Sequence, residues 1–137
     1  MQLIFFLAAV LIVGALLFAV ITMTKGGARG LDVDKYRSKW LEIEQNLARD
    51  DAASHQLSVL HADKLLDQAL KDKGVAGNTM GERMKSAEKV WKNPNHIWGA
   101  HKIRNQLAHE TDVKLNYETA LRALTAFKQA LKDLGAI

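Results

Sequence analysis

The residues best suited to chemistry lie in one short segment, HKIRNQLAHE, at positions 101–110. Within six positions this segment holds a guanidinium, an amide and an imidazole, on Arg104, Asn105 and His109. A guanidinium binds phosphate oxygens through paired N–H donors, and an imidazole transfers protons near neutral pH. Metal-free RNA cleavage needs these parts: a base for the 2′-hydroxyl, an acid for the leaving 5′-oxygen and a cation beside the phosphorus. We therefore predict His109, Arg104 and Asn105 as catalytic residues.

The helix that carries this motif is predicted to be amphipathic. On an ideal helix turning about 100° per residue, Ile97, Ile103 and Leu107 share the apolar arc, and Arg104 falls inside it. A buried arginine keeps its charge, so it needs a partner: a carboxylate on another helix or the phosphate of a substrate. Arg104 and His109 lie about 140° apart on the ideal helix. The two side chains can contact the same phosphate only under one of three conditions. The long Arg104 side chain reaches around the helix, the helix is locally distorted, or a second copy of the domain supplies one of the two residues.

A basic stretch leads into the motif. From Arg83 to Arg104 six basic residues accompany one acidic residue, whereas from Leu31 to Asp72 nine acidic residues accompany six basic ones. Such a patch fits either phosphate binding or a solvated helix face beside an anionic membrane. Trp98 is a candidate for stacking on a base. We predict substrate-binding roles for Arg83, Lys85, Trp98, His101 and Lys102.

The N-terminal segment LIFFLAAVLIVGALLFAVITM, residues 3–23, carries no charge. As a helix these residues span about 31 Å, enough to cross the hydrocarbon core of a bilayer. A cleaved signal peptide is the alternative, but the apolar run is long for one, no basic residue precedes it and no small-residue cleavage site ends it. Because Lys25 and Arg29 follow it, the positive-inside bias predicts a single-pass anchor in the cell (inner or plasma) membrane, with the C-terminal domain in the cytoplasm.

The rest of the chain is predicted to form one helical domain. Residues 1–24 are assigned to the anchor helix, residues 25–30 to a glycine-rich linker and residues 31–137 to the domain. Apolar positions recur every three or four residues in each later segment, and no segment alternates with a period of two. We predict an all-α fold in which a transmembrane helix precedes a bundle of four to five helices.

Local sequence also predicts helix starts and core positions. The second helix of the bundle has a wide apolar face and is expected to lie at its centre. Aromatic and methionine side chains at helical spacing are predicted to be core, namely Trp40, Met80, Met84 and Trp91. The predicted N-terminal caps are Asp32 or Asp34, Thr79 and Asn95, and two further helices are predicted to start near Asp51 and at Asn116.

The sequence contains no cysteine, which excludes disulfides and thiolate chemistry. Neither His55 with His61 nor His96 with His101 has the i, i+4 spacing of a helical pair of metal ligands. We expect no metal site and no cofactor.

Residues 98–110, WGAHKIRNQLAHE, resemble the signature of the HEPN superfamily, the higher-eukaryote and prokaryote nucleotide-binding domains. In that signature an arginine, commonly followed by asparagine or another polar residue, precedes a histidine by four to six intervening residues. Arg104, Asn105 and His109 match it with four intervening residues. The upstream segments HADKLLDQALKDKG and TMGERMKSA are also similar to small bacterial HEPN-like proteins. The resemblance thus spans most of residues 31–134.

The resemblance implies an all-α bundle, often a homodimer, with the motif facing the partner. It implies a metal-independent endoribonuclease or RNA-binding protein in which His109 transfers protons, Arg104 binds the phosphate and Asn105 assists. It also implies an antitoxin or another regulatory protein as a partner. In one branch of toxins a tyrosine stands two positions after the histidine, where this chain has Thr111. Since other members serve as binding or assembly modules, a non-catalytic interaction or oligomerisation module tethered to the membrane is the alternative.

Overall fold

The computed structural model describes residues 1–25 and 30–137, with the side chains of residues 1–21 and 30–137. In these residues the chain forms α1 (Gln2–Lys25), α2 (Val33–Asn46), α3 (Ala52–Asp72), α4 (Met80–Ser86), a 3₁₀ turn (Glu88–Val90), α5 (Pro94–His109) and α6 (Tyr117–Leu134). The same residues contain no strand. The prediction of an all-α fold with an apolar N-terminal helix is confirmed. Residues 26–29 of the predicted linker, including Arg29, lie outside the described residues.

Helix α1 is apolar along almost its whole length. Gln2–Ile21 contains no charged side chain, and none of this segment is buried against the rest of the protein. The 24 residues of α1 span about 36 Å, against about 30 Å for the hydrocarbon core of a bilayer. Helix α1 is therefore long and apolar enough to cross a membrane.

Helix α3 lies at the centre of the bundle, as its wide apolar face predicts. It packs against α2, α4, α5 and α6. The largest fully buried side chains come from several helices: Tyr36, Val59, Leu66, Leu70, Met84, Phe127 and Leu131. The predicted core positions Trp40, Met80 and Trp91 belong to the same cluster. Because α5 packs against both α3 and α6, the face of α5 that carries Arg104 is held against the bundle.

Side-chain caps fix where the helices begin. The predicted caps Asp32 and Thr79 each accept a hydrogen bond from a first-turn backbone amide, and Asp51 and Asn116 do the same at the two other predicted helix starts. The predicted cap of α5, Asn95, is wrong, because the Asn93 side chain accepts from the His96 amide at 3.3 Å. Pro94 explains the difference: proline lacks an amide hydrogen and its fixed φ suits the first helical position, so the cap precedes it.

The short connection from α3 to α4 depends on glycine. Gly77 has a φ of 151°, and a Cβ added to it would lie 2.7 Å from the amide nitrogen of Arg83. Such an approach to backbone is sterically excluded, so only glycine lets α4 pack this closely. This packing fixes the position of Arg83 beside α3.

Candidate functional site

A groove of about 850 Å³ lies between α3 and α5 and is lined by several polar side chains whose groups could take part in chemistry. Helix α3 contributes His61, Asp63, Lys64, Asp67 and Lys71 to its lining. Helix α5 contributes His101, Arg104 and Asn105, and the start of α4 contributes Thr79 and Gly81. We call this site the α3–α5 groove.

Asp63 is the centre of the polar contacts in the groove. Its side chain is 4% exposed, and its Oδ1 lies 2.9 Å from Nδ1 of His101. Its Oδ2 lies 3.2 Å from Nε of Arg104, in an ion pair. Because an unpaired buried carboxylate is strongly destabilising, these two contacts stabilise the burial of the Asp63 side chain. Arg104 therefore has the first of the two predicted kinds of partner, a carboxylate on another helix.

Helix geometry explains why these three side chains meet. His101 and Arg104 are three positions apart on α5, so they lie on one face. On an ideal helix Asp63 falls about 20° from Leu70, inside the buried face of α3. Since α3 packs directly against α5, the carboxylate on α3 faces both basic groups on α5.

The Arg104 side chain is held by two contacts and is still accessible from the groove. Its side chain is 37% exposed. Its Nη1 donates a hydrogen bond of 3.1 Å to Oδ1 of Asn105. A guanidinium carries five N–H donors, so one ion pair and one hydrogen bond do not exhaust its capacity. Arg104 can bind an anion in the groove without leaving Asp63.

His101 is buried but is not sealed from the groove. Its Nδ1 faces the Asp63 carboxylate, and its ring meets the edge of Trp98 with centroids 6.0 Å apart. A carboxylate only accepts hydrogen bonds, so Nδ1 carries the hydrogen in this pair. The other ring nitrogen, Nε2, lies on the side of Gly81, where an added Cβ would be 3.9 Å away. Among the described residues no buried side-chain nitrogen or oxygen lacks a hydrogen-bond partner.

A second ion pair joins Asp67, which lines the groove, to Arg83 of α4. The Arg83 guanidinium donates from Nε and Nη2 to the two Asp67 oxygens at 2.7 and 3.1 Å, and from Nη1 to the Gly77 carbonyl at 2.8 Å. Burial acts to raise the pKa of Asp67, but the hydrogen bonds and charge of Arg83 and the charge of Lys71 outweigh it and hold that pKa below its usual value. The Arg83 side chain is thus engaged in joining α4 to α3.

The structure brings only some of the predicted site residues together. Arg104, Asn105 and His101 line the α3–α5 groove. His109 is exposed at the last position of α5 and is not part of the lining. The other predicted substrate-binding residues also lie outside the lining, namely Arg83, Lys85, Trp98 and Lys102.

Sequence reasoning missed the acidic and basic residues that α3 supplies. Asp63 was detectable, because it is a charged residue inside the apolar arc of α3, just as Arg104 lies inside the apolar arc of α5. Two charged residues of opposite sign on buried helix faces are candidates for pairing. His61 and Lys64 gave no comparable signal, because both are exposed and exposed polar residues are common on any helix.

His61 and Lys64 also connect the groove to its neighbour. Both residues line a second groove of about 280 Å³ between α2 and α3, together with Ile43 and Leu65. The two grooves therefore have these two side chains of α3 in common.

No protein-family model, no curated protein and no solved structure matches this chain. Within the described residues, no group of three or more His, Cys, Asp or Glu side chains is arranged to hold a metal ion. The interpretation of the site rests on its charges, imidazoles and amides.

Proposed function

We propose that this protein is a membrane-anchored, HEPN-like RNA-binding protein that cleaves RNA without a metal ion in the α3–α5 groove. One observation carries the proposal: Arg104 and Asn105 of the motif share a groove with His61, Lys64 and His101. Guanidinium, ammonium and amide groups bind phosphate oxygens, and two imidazoles provide for proton transfer to and from a phosphodiester. The motif WGAHKIRNQLAHE and its resemblance to the HEPN signature support the same activity.

The charges of the groove support a polyanionic ligand. Three cationic side chains and two carboxylates line it, and each carboxylate is already paired with an arginine. Lys64 is exposed and lies one helical turn from His61 on α3, so its ammonium is well placed to meet a phosphate. Paired carboxylates repel a phosphate less than free ones do, because the arginine charges offset them.

The lining of the α3–α5 groove supports a single-stranded ligand. A strand bound in this groove would place phosphates near Lys64 and Arg104, which both line it. The exposed side chain of Leu57, which lines the same groove, offers apolar surface for an unpaired base. Base contacts of this kind are available to unpaired RNA rather than to a duplex.

The apolar helix α1 supports anchoring by a single pass through the cell membrane. We propose that the bundle lies in the cytoplasm, since Lys25 directly follows the apolar segment. A homodimer is part of the proposal, because His109, exposed at the end of α5, would reach a groove only through contact between two copies. An antitoxin or other regulatory protein remains a proposed partner.

The test uses the full chain in phospholipid nanodiscs, with labelled single-stranded RNA and EDTA. We expect binding and cleavage by the parent protein. Lys64→Ala should weaken binding and lower the slope of log affinity against log salt by about 0.7, the value for one lost phosphate contact on single-stranded RNA. Lys85→Ala removes the same charge from an exposed position outside the groove and is the matched control. Equal effects of the two substitutions would contradict the placement of the site.

The second candidate function is a non-catalytic interaction module. The ion pair between Arg104 and Asp63 favours it, because an arginine that satisfies a buried carboxylate already has a structural role. The exposure of His109 outside the groove favours it as well. A folded parent that self-associates in nanodiscs or detergent but neither binds nor cleaves RNA would support this alternative.

A further inference from the structure

Asp63 fixes which nitrogen of His101 is available for proton transfer. The carboxylate lies 2.9 Å from Nδ1 and is itself held by Arg104 at 3.2 Å. Because Nδ1 carries a hydrogen in this contact, the neutral ring has its lone pair on Nε2. That nitrogen lies beside Gly81, which also lines the groove, and a Cβ added to Gly81 would contact it at 3.9 Å.

We propose that His101, oriented by Asp63, is the general base of RNA cleavage in the α3–α5 groove. This inference rests on the proposed function. Nε2 of His101 removes the proton from a ribose 2′-hydroxyl, and the 2′-oxygen forms a bond to phosphorus. The bond from phosphorus to the 5′-oxygen breaks, and the leaving oxygen takes a proton from the imidazolium of His61. The products are a 2′,3′-cyclic phosphate and a 5′-hydroxyl, with the proton now on His101 and His61 neutral.

The contacts favour His101 over His109 for this role. A general base has to be held in one orientation within reach of the proton that it removes. His101 is held by a carboxylate that is almost fully buried, and it lines the groove. His109 is exposed at the end of α5, and no hydrogen bond or ion pair within the described part of the chain orients it.

Arg104 has a second role in this arrangement. Its contact with the other oxygen of Asp63 fixes the carboxylate plane, so the carboxylate in turn fixes the ring of His101. The remaining donors of the same guanidinium are available for the phosphate whose 5′-oxygen departs. Asp63 is thus a positioning residue, whereas His101 and Arg104 would contact the substrate.

Two substitutions at position 101 separate structure from chemistry. His101→Asn keeps an N–H donor near the place of Nδ1, so it can still satisfy Asp63, but it has no group at the place of Nε2. His101→Gln keeps a polar group, the side-chain amide, near the position of Nε2, but this amide cannot accept a proton. We expect each variant to lower kcat by about 10²- to 10⁴-fold, the usual contribution of general-base catalysis, with RNA affinity within about threefold of the parent.

Asp63→Asn gives a readout that a purely structural role would not produce. The amide can donate to Nδ1, which moves the ring hydrogen to Nε2 and removes the base. The groove also loses a negative charge, so binding of RNA tightens. We expect kcat and KM to fall together in this variant, whereas simple loss of folded protein lowers the apparent kcat and leaves KM unchanged.

The experiment measures cleavage of labelled single-stranded RNA with EDTA by the full chain in nanodiscs, with 2′-O-methyl RNA as the uncleavable probe for binding. His96→Gln is the matched control, because this histidine is exposed on α5 outside the groove, whereas His109→Gln tests the competing assignment of the base to His109. Melting temperatures identify any variant that fails to fold. As a measurement on the parent alone, 2′-O-methyl RNA should protect His101 from diethyl pyrocarbonate and leave His96 reactive.

The possible results distinguish the proposed function of the protein from the assignment of His101 as its general base. Full kcat in His101→Asn, or loss of cleavage in His109→Gln alone, overturns the assignment of His101 and leaves RNA cleavage by the protein intact. A parent that binds RNA without cutting it overturns the catalytic inference and leaves RNA binding intact. A parent that neither binds nor cuts RNA overturns both. Unprotected His101 in the parent complex contradicts the inference even if every variant is unstable.

Discussion

Replacing Arg83 by methionine tests whether this arginine supports the fold or binds the substrate. In the structure its guanidinium makes two hydrogen bonds to Asp67 and one to the Gly77 carbonyl. Methionine has a similar volume and no charge, so Arg83→Met removes these contacts and leaves little empty space. Asp67 then keeps only Lys71, whose Nζ is 3.4 Å from its Oδ2.

The expected loss of stability follows from the burial of the pair. Removing one partner of a buried ion pair costs about 3–5 kcal/mol, since it leaves an uncompensated charge. The Asp67 side chain is 20% exposed and the Arg83 side chain 9%, so water screens part of the charge that remains. We therefore expect Arg83→Met to lower the free energy of unfolding by about 2–3 kcal/mol. Urea unfolding in detergent, followed by tryptophan fluorescence, measures this change, because all three tryptophans lie in the bundle.

A double variant then distinguishes support of the fold from direct binding. Arg83→Met weakens RNA binding in either case, because the region of the groove loses a positive charge. Adding Asp67→Asn removes one negative charge, so RNA affinity should return to within about twofold of the parent if Arg83 acts only by neutralising Asp67. Persistent loss of affinity in the double variant, with a loss of stability below about 0.5 kcal/mol in the single one, would refute this reasoning.

Three further predictions concern the fold around the site. Tyr36→Phe removes the hydrogen bond from a fully buried tyrosine to Asp72 and should cost about 1–2 kcal/mol of unfolding free energy, measured by urea titration; no change would contradict the contact. The Tyr36 hydrogen bond lowers the pKa of Asp72, and Arg83 lowers that of Asp67 against the effect of burial, both from an ordinary value of 3.8. The stability that the two carboxylates contribute should therefore be present above pH 3.8 and be lost as the pH falls through their lower folded-state pKa values. A melting temperature that does not change with pH across this acid range would contradict this prediction. Gly77→Ala places a Cβ against the Arg83 backbone at a φ of 151° and should cost about 1–3 kcal/mol, whereas an unchanged melting temperature would show that the loop relaxes freely.

Most of the fold is predictable from local sequence. The spacing of apolar residues predicts the helices, and the wide apolar face of α3 predicts its central position, because these patterns depend on one helix at a time. Side-chain caps predict most of the helix starts for the same reason. The start of α5 is the exception, since Asn93 and Asn95 are equally good caps and the position of Pro94 decides between them.

Only part of the site is predictable from the sequence, because its contacts depend on how α3 and α5 align. The sequence indicates that Arg104 is buried and needs an acidic partner or a phosphate, but it does not indicate which carboxylate lies opposite. That depends on the register of α3 against α5, which helical periodicity does not specify. His101 illustrates the same limit: the sequence predicts it only as a substrate-binding residue, and the packing of α3 against α5 is needed to show that it is buried against Asp63.

The central claim is that RNA binds in the α3–α5 groove, and mapping its contacts tests this most directly. The full chain in nanodiscs would be crosslinked to single-stranded RNA containing 4-thiouridine, and the modified peptides would be identified by mass spectrometry. Crosslinks should fall within residues 57–71 of α3 and residues 98–105 of α5. Crosslinks confined to residues 109–118, around His109 and the start of α6, or no crosslinks at all, would contradict the account.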